Sequence, residues 1–226
     1  MASFPDTTVI RGSGSLYWNG GMRLAWTSAL NVETDFFLWL NDDLELLPGS
    51  IEGLVDLYQR EAQADPKVLV VGRVKSVDKL TDTYGGRVRA SHFSRLRFRG
   101  LEMEERLCDT MNGNCVLIPT RAVADIGVNS EHFTHAMGDM DYGLRAQKAG
   151  YRIFQSDFPV GYQDKNPHNY ARPKSNSWRD VSEFMKDPKG MPIKEWLYFC
   201  RTHGGWLWPI NFTLMYARAL LPRPRQ

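Results

Sequence analysis

Nowhere in this chain does an apolar run approach the ~20 residues that a membrane-spanning helix requires. The first residues do not show the basic-then-apolar pattern of a secretion signal. Neither sign of charge dominates: the net value of +2 gives no argument for nucleic acid as a partner. Cysteine is scarce, with three residues (Cys108, Cys115 and Cys200). Their odd number and lack of metal-ligand spacing argue against a disulfide framework or a zinc site and read as reduced interior thiols. There is no internal repeat and no low-complexity tract. No glycine-rich loop bearing Lys or Arg opens the chain, which disfavours a nucleotidyltransferase. The expectation from these absences is a soluble cytoplasmic domain.

What is present is ordinary globular composition, 42% hydrophobic and 24% charged, in a chain of 226 residues that can bury a sizeable core. The most informative stretch is Phe36-Phe37-Leu38-Trp39-Leu40, which reads as a fully buried central strand followed at once by Asn41-Asp42-Asp43. Before it, Thr7 to Ile10 is β-branched and reads as a short strand, Trp18 to Gly21 as a tight turn, and residues from Met22 as a helix. That helix should use Met22, Ala25, Trp26, Ala29 and Leu30 as one face. Pro48 to about Ala64 reads as a second helix with Ile51, Leu54, Val55 and Tyr58 inward. Val68 to Val74 reads as another buried strand. Strand, helix, strand, helix, strand predicts an α/β unit with a mostly parallel sheet.

Further on, Thr81 to Arg99 predicts an Arg-rich hairpin or loop with a turn at Gly85-Gly86. Leu107 to Met111 and Cys115 to Pro119 are strand-like and flank Asn112-Gly113-Asn114. Thr120 to Gly127 predicts a short helix. Gly138 to Gly150 predicts another, with Asp139 and Asp141 in its first turn and Arg145 and Lys148 near its end, in accord with the helix dipole. Tyr151 to Phe154 reads as a strand and Gln163 to Ser177 as a polar loop. Trp178 to Met185 and Ile193 to about Leu221 read as helices, the latter broken at Gly204-Gly205 or Pro209.

Adjacent acids at the carboxyl end of a buried strand occupy the usual ligand position of an open α/β sheet and are hard oxygen donors for a divalent cation. The alternative is that Asp42 and Asp43 only turn the chain and cap the next helix. On the later helix, Arg145 lies one turn after Asp141 and is spaced to pair with it, leaving Asp139 without an evident local partner.

The segments Trp18-Asn19-Gly20-Gly21-Met22-Arg23, Leu38 to Asp43, Asn112-Gly113-Asn114 and Gly138-Asp139-Met140-Asp141 through Ala149-Gly150-Tyr151 stand in a telling order. This order resembles the inverting family 2 glycosyltransferases with the GT-A fold, in particular the rhamnosyl and galactofuranosyl transferases of bacterial polysaccharide assembly. The resemblance covers roughly residues 5–165. It implies transfer of a sugar from a nucleotide-diphosphate donor to a hydroxyl of a glycan or lipid-linked acceptor, assisted by Mg²⁺ or Mn²⁺.

By that resemblance Asp43 stands at the last acid of the family's Asp-X-Asp motif, the metal and diphosphate ligand. Asn41 replaces the first acid, with Asp42 beside it. Asp139 matches the general base, and Gly138 stands where the family often has Glu. Arg23 matches a position near the donor nucleotide, and Asn112, Gly113 and Asn114 match the loop beneath the donor sugar. His168 matches a late metal ligand of some members, although a lone His in a Pro/Asn loop is more often solvated.

The resemblance begins at what would be the family's third strand. The expectation is therefore an N-terminally truncated GT-A-like domain over residues 1–165 with an unpaired sheet edge and weak activity alone, and a helical extension over 166–226. The extension carries Trp196, Phe199, Trp206, Trp208, Phe212 and Tyr216 with Arg201, Arg218, Arg223 and Arg225. These residues either pack on the sheet or lie at the inner face of a membrane as peripheral contacts. The competing functional class is a non-catalytic α/β module that binds a partner or a membrane surface.

Overall fold

The computed structural model describes residues 6–91, 93–102, 104–166 and 173–220. Among them the chain is α/β, with a mixed and mostly antiparallel sheet and seven α-helices. Helix α1 (Tyr17–Ala29) precedes strand β1 (Phe36–Leu40). A short β2 (Glu45–Leu46) leads into α2 (Ser50–Glu61) and the long β3 (Val68–Lys75). Then come β4 (Asp82–Tyr84), β5 (Gly86–Arg89), β6 (Phe98–Gly100), β7 (Leu107–Cys108), β8 (Thr110–Met111) and β9 (Cys115–Pro119). Helices α3 (Thr120–Ile126) and α4 (Gly138–Lys148) follow, then β10 (Arg152–Tyr162), α5 (Trp178–Phe184), α6 (Ile193–His203), a 3-10 turn at Gly205–Leu207, and α7 (Trp208–Leu220).

The main sheet runs β1-β9-β3-β10-β2, with β4 on β3 and β7 on β10; β6-β5-β8 form a small second sheet. The mostly parallel sheet expected from the element order is not what forms. Among the described strands only β3 and β10 pair in parallel. Strand β9 lies between β1 and β3, antiparallel to both, with Leu38 and Val70 each opposite Leu117. Strands β1 and β3 thus point the same way, as the strand-helix-strand pattern requires, but they are not neighbours. The misreading has a physical cause: β9 is buried on both faces, and such a run has the same apolar signature whichever way it points.

Two further expectations fail. Strand β1 is not central and fully buried: among the described strands it pairs with β9 alone, and Phe37 and Trp39 are buried while Leu40 is exposed. Residues 7–10 form no strand and are exposed, so no described strand covers the outer side of β1. The tight turn read at residues 18–21 is instead the start of α1. That helix buries Trp26 and packs Trp18, Met22 and Ala29 on the core, while Ala25 and Leu30 face solvent.

Alternation along β3 and β9 sends side chains to both faces. Leu69, Val71, Val116 and Ile118 meet Trp26, Phe37, Trp39, Tyr142 and Ile153 under α1 and α4. On the other face Val68, Val70, Val74, Cys115 and Leu117 meet Leu54 and Leu57 of α2. The three cysteines are free and buried, and burial pushes each thiol up to about 12. A third cluster joins Leu144 of α4 to Trp196, Phe199 and Cys200 of α6, with Trp208, Phe212 and Tyr216 of α7 against it. Trp196, Phe199, Trp208, Phe212 and Tyr216 therefore pack on the outer side of α4 rather than on the sheet, while Trp206 is exposed and Arg223 and Arg225 lie outside the described residues.

Candidate functional site

Antiparallel pairing of β1 with β9 is what brings the first two motifs together. Leu40, the last residue of β1, is opposite Cys115, the first of β9. The chain beyond each strand end stays in register for one more bond, Asn41 N to the Asn114 carbonyl at 3.0 Å. Asn41–Asp43 and Asn112–Asn114 thus leave the sheet side by side.

Helix α4 brings the third motif. It lies directly on β8, where the Thr110 hydroxyl donates to the Met140 carbonyl at 2.8 Å and a β-carbon on Gly143 would strike the Thr110 side chain. That seating sets the helix start over the loop after β8. The Gly113 N–H donates to Asp139 Oδ2 at 3.0 Å, and the Met140 N–H to Asp139 Oδ1 at 2.7 Å. Asp139 is half-buried, and desolvation raises its carboxyl above the usual range. The bonds from Gly113, Met140 and Asn112 oppose that rise without overcoming it. The residue preceding the helix, Met137, has φ +68, a left-handed conformation that a long side chain seldom adopts.

Trp18 joins the two sides of the site. Its indole N–H donates to Asn41 Oδ1 at 2.7 Å, and its six-membered ring lies where a Gly113 β-carbon would be. The same imagined β-carbon would be 3.2 Å from Cβ of Asp139. Gly113 is therefore squeezed between the indole and the acid, and only glycine fits. The ring meets Trp39 edge-on at 5.6 Å, tying the site to the aromatic core of Trp26, Trp39 and Tyr142. Tyr17, just before it, has φ +53, so backbone strain sits at the start of both helices that frame the site.

The flanking amides are held from outside. Arg87 Nε donates to Asn112 Oδ1 at 3.0 Å, and Asn114 Nδ2 donates to Gln163 Oε1 at 2.7 Å. His135 Nδ1 accepts from the backbone N–H of Trp18 at 3.4 Å, and the ring lies within electrostatic reach of Asp139 and Lys189. Burial, then Lys189, lowers its imidazole from the ordinary value, against the opposing pull of Asp139 and Asp187.

The structure thus gathers Asn41, Asn112, Gly113, Asn114 and Asp139 around Trp18, with Asp42 and Asp43 next in the chain. It does not place Arg23 with them. That guanidinium donates to the Asn129 carbonyl at 2.7 Å and lies 3.6 Å from Glu131, in the loop beside α1. His168 lies outside the described residues. Gly138 has a clear steric origin: a β-carbon there would run into the side chain of Asn19, which is fully buried and donates to the carbonyls of Ser130 and Phe133. The sequence reading missed Trp18, Arg87, Gln163 and His135. For Trp18 a signal existed, since an indole N–H near a core needs an acceptor and Asn41 is a polar residue at a strand end. For Arg87 and Gln163 none did.

Asp42 and Asp43 are exposed, and neither carboxylate has a hydrogen-bond partner among the described residues. Asn41 differs, because its side-chain oxygen is already taken by Trp18. No group of three or more His, Cys, Asp or Glu side chains gathers among the described residues. The described residues therefore form no all-protein cage for a cation, and Asp42 and Asp43 could offer it one or two carboxylates at most.

Compared with known proteins, the chain matches no family model and no curated protein.

Proposed function

We propose that this chain carries a glycosyl-transfer site, in which a sugar moves from a nucleotide-diphosphate donor to a hydroxyl of a glycan or lipid-linked acceptor with inversion. The observation that carries the reading is Asp139: a carboxylate raised by burial, held by two backbone N–H groups, beside a glycine loop, and linked through Trp18 to Asn41, which the exposed acids Asp42 and Asp43 follow. A base of this kind suits removal of a proton from a hydroxyl, since it holds its proton more tightly than a solvated carboxylate. In the reaction the acceptor oxygen forms its bond to the anomeric carbon as the bond to the diphosphate oxygen breaks. The hydroxyl proton passes to Asp139, and the electron pair leaves with the diphosphate.

Asp43, with Asp42, would hold Mg²⁺ or Mn²⁺, and that ion would supply positive charge to the departing diphosphate. The bonds from Gly113, Met140 and Asn112 orient the Asp139 carboxylate, and Trp18 keeps the loop and the strand end at a set separation. The finer GT-A assignment rests on the order of the motifs together with their assembly around Trp18. A titration of a panel of nucleoside diphosphates, with and without Mg²⁺ or Mn²⁺, tests the reading. Metal-dependent binding lost in Asp43→Ala supports it; absence of any nucleotide binding with either metal overturns it.

A further inference from the structure

Helix α7 has 13 residues and a single charged side chain, Arg218. Its inner side, Phe212, Met215 and Tyr216, packs on the α6 cluster. The outer side is apolar as well. Ile210 is 52% exposed and Leu214 42%, and Trp206, on the 3-10 turn before the helix, is 84% exposed. Ile210, Leu214 and Arg218 stand four residues apart on the helix and so lie in one row, and Trp206 precedes that row on the 3-10 turn. Thr213, beside them, does not make the face polar, because its hydroxyl donates back to the carbonyls of Pro209 and Ile210 at 3.0 and 3.1 Å. A helix that is apolar all round is normally covered on all sides, and this one has its outer side in solvent.

The loop before β6 widens the surface. The Ser94 hydroxyl donates to Asn211 Oδ1 at 3.0 Å, and the Arg95 side chain runs past Gly205, where a β-carbon would be 3.2 Å from its Cδ. This contact places Phe93, 86% exposed, and the exposed Arg95 beside the start of α7. Arg201 lies 5.3 Å from the Trp208 ring centroid on the same end. The charges are of one sign: residues 86–101 and 204–226 contain no Asp or Glu.

We propose that this face, made of Phe93, Trp206, Ile210 and Leu214 with Arg95 and Arg218, docks the protein on an anionic lipid surface. Helix α7 is about 20 Å long at 1.5 Å per residue, too short to cross a bilayer, and lies flat along the body. Aromatic and aliphatic side chains in a row with basic residues around them suit the boundary between headgroups and acyl chains. A second copy is the poorer occupant, because a self-pairing of this face would set arginine against arginine with no acid to meet it. The inference stands apart from the reaction proposed above, since no residue of the Trp18–Asp139 site takes part.

Co-sedimentation of the full chain with vesicles tests it. Binding is expected to mixed phosphatidylcholine–phosphatidylglycerol vesicles, to weaken steeply with salt, and to be much weaker on phosphatidylcholine alone. Arg95→Gln and Arg218→Gln should each weaken it about fivefold. Ile210→Asp with Leu214→Asp should weaken it more than about tenfold, while circular dichroism and nucleotide binding stay as in the parent, because both side chains are exposed. Equal binding by the folded double variant overturns the proposal, as does absence of binding to either vesicle. A dimer in sedimentation that the double variant dissociates, without vesicle binding, overturns it in favour of a second copy.

Discussion

His203 Nε2 lies 2.8 Å from Asp141 Oδ1, and Arg145 Nε donates to the other oxygen of the same carboxylate at 2.8 Å. Asp141 is completely buried. One acid in the first turn of α4 thus ties that helix to itself and to the end of α6, while its neighbour Asp139, two residues earlier, faces the Gly113 loop. One-turn spacing to Arg145 sets Asp141 apart from Asp139 in sequence, and the bond to His203 adds a second partner from α6.

Asp141→Asn should therefore act on stability. It removes a buried charge from a pair with Arg145 and leaves that guanidinium facing a neutral amide, a change that costs about 3 kcal/mol. Denaturant unfolding should show a lowered midpoint, with His203→Ala destabilising in the same direction. Metal-dependent nucleotide affinity of the remaining folded protein should be unchanged.

Asp43→Ala and Asn41→Ala should separate binding from folding. Asp43 is exposed and unpartnered among the described residues, so its loss should move stability by less than about 0.5 kcal/mol and abolish metal-dependent nucleotide binding. Asn41→Ala strips the acceptor from the Trp18 indole, which should cost about 1–2 kcal/mol. Calorimetry and thermal unfolding of both variants check this. A stability loss in Asp43→Ala equal to that of Asn41→Ala would contradict the assignment.

Gly138→Glu introduces the residue that glycosyltransferases of the resembling family often carry, and here it should be harmful. The new side chain would start where Asn19 already sits, and Asn19 is locked by bonds to Ser130, Phe133 and Asn129. Displacing that amide orphans several buried polar groups at about 1–3 kcal/mol each. Thermal unfolding should show a large drop, greater than that for Gly21→Glu, whose position is open.

The helices and the buried strands were legible because periodicity reports burial. Strands β1 and β3 and helices α2, α3 and α4 lie where apolar spacing, prolines and glycines put them. The Asp141–Arg145 pair followed from one-turn spacing. Strand direction was not legible, since Cys115 to Pro119 is apolar on both faces and its run says nothing of polarity. Thr7 to Ile10 has strand-like residues but no described partner strand, and propensity without pairing does not make a strand. At the site, Asn41, Asn112–Asn114 and Asp139 could be named from their order, whereas Trp18 as their link depends on β9 returning antiparallel beside β1. Arg87 arrives from β5 and Gln163 from just past the end of β10, and no local pattern announces them.

Proton linkage supplies a test of Asp139 that needs no substrate. Its carboxyl is raised in the folded state, so the fold binds that proton more tightly than the unfolded chain does. Its contribution is present at acid pH and is lost as pH rises from the ordinary carboxylate value through the raised one. Asp139→Asn removes that loss and keeps an oxygen for the Gly113 N–H. The variant should therefore gain stability relative to the parent as pH rises through that window. A constant difference across the window would contradict the raised value.

The most direct measurement is turnover of Asp139→Asn in an assay with a nucleotide-sugar donor and a hydroxyl acceptor, read beside metal-dependent donor binding of the same protein. The amide keeps the shape of the site but cannot take the acceptor's proton. The predicted result is donor affinity within about twofold of the parent and turnover lower by ~10²–10⁴, the usual worth of a general base. Turnover equal to the parent's, or a loss that falls on donor affinity with the rate preserved, would contradict the role given to Asp139.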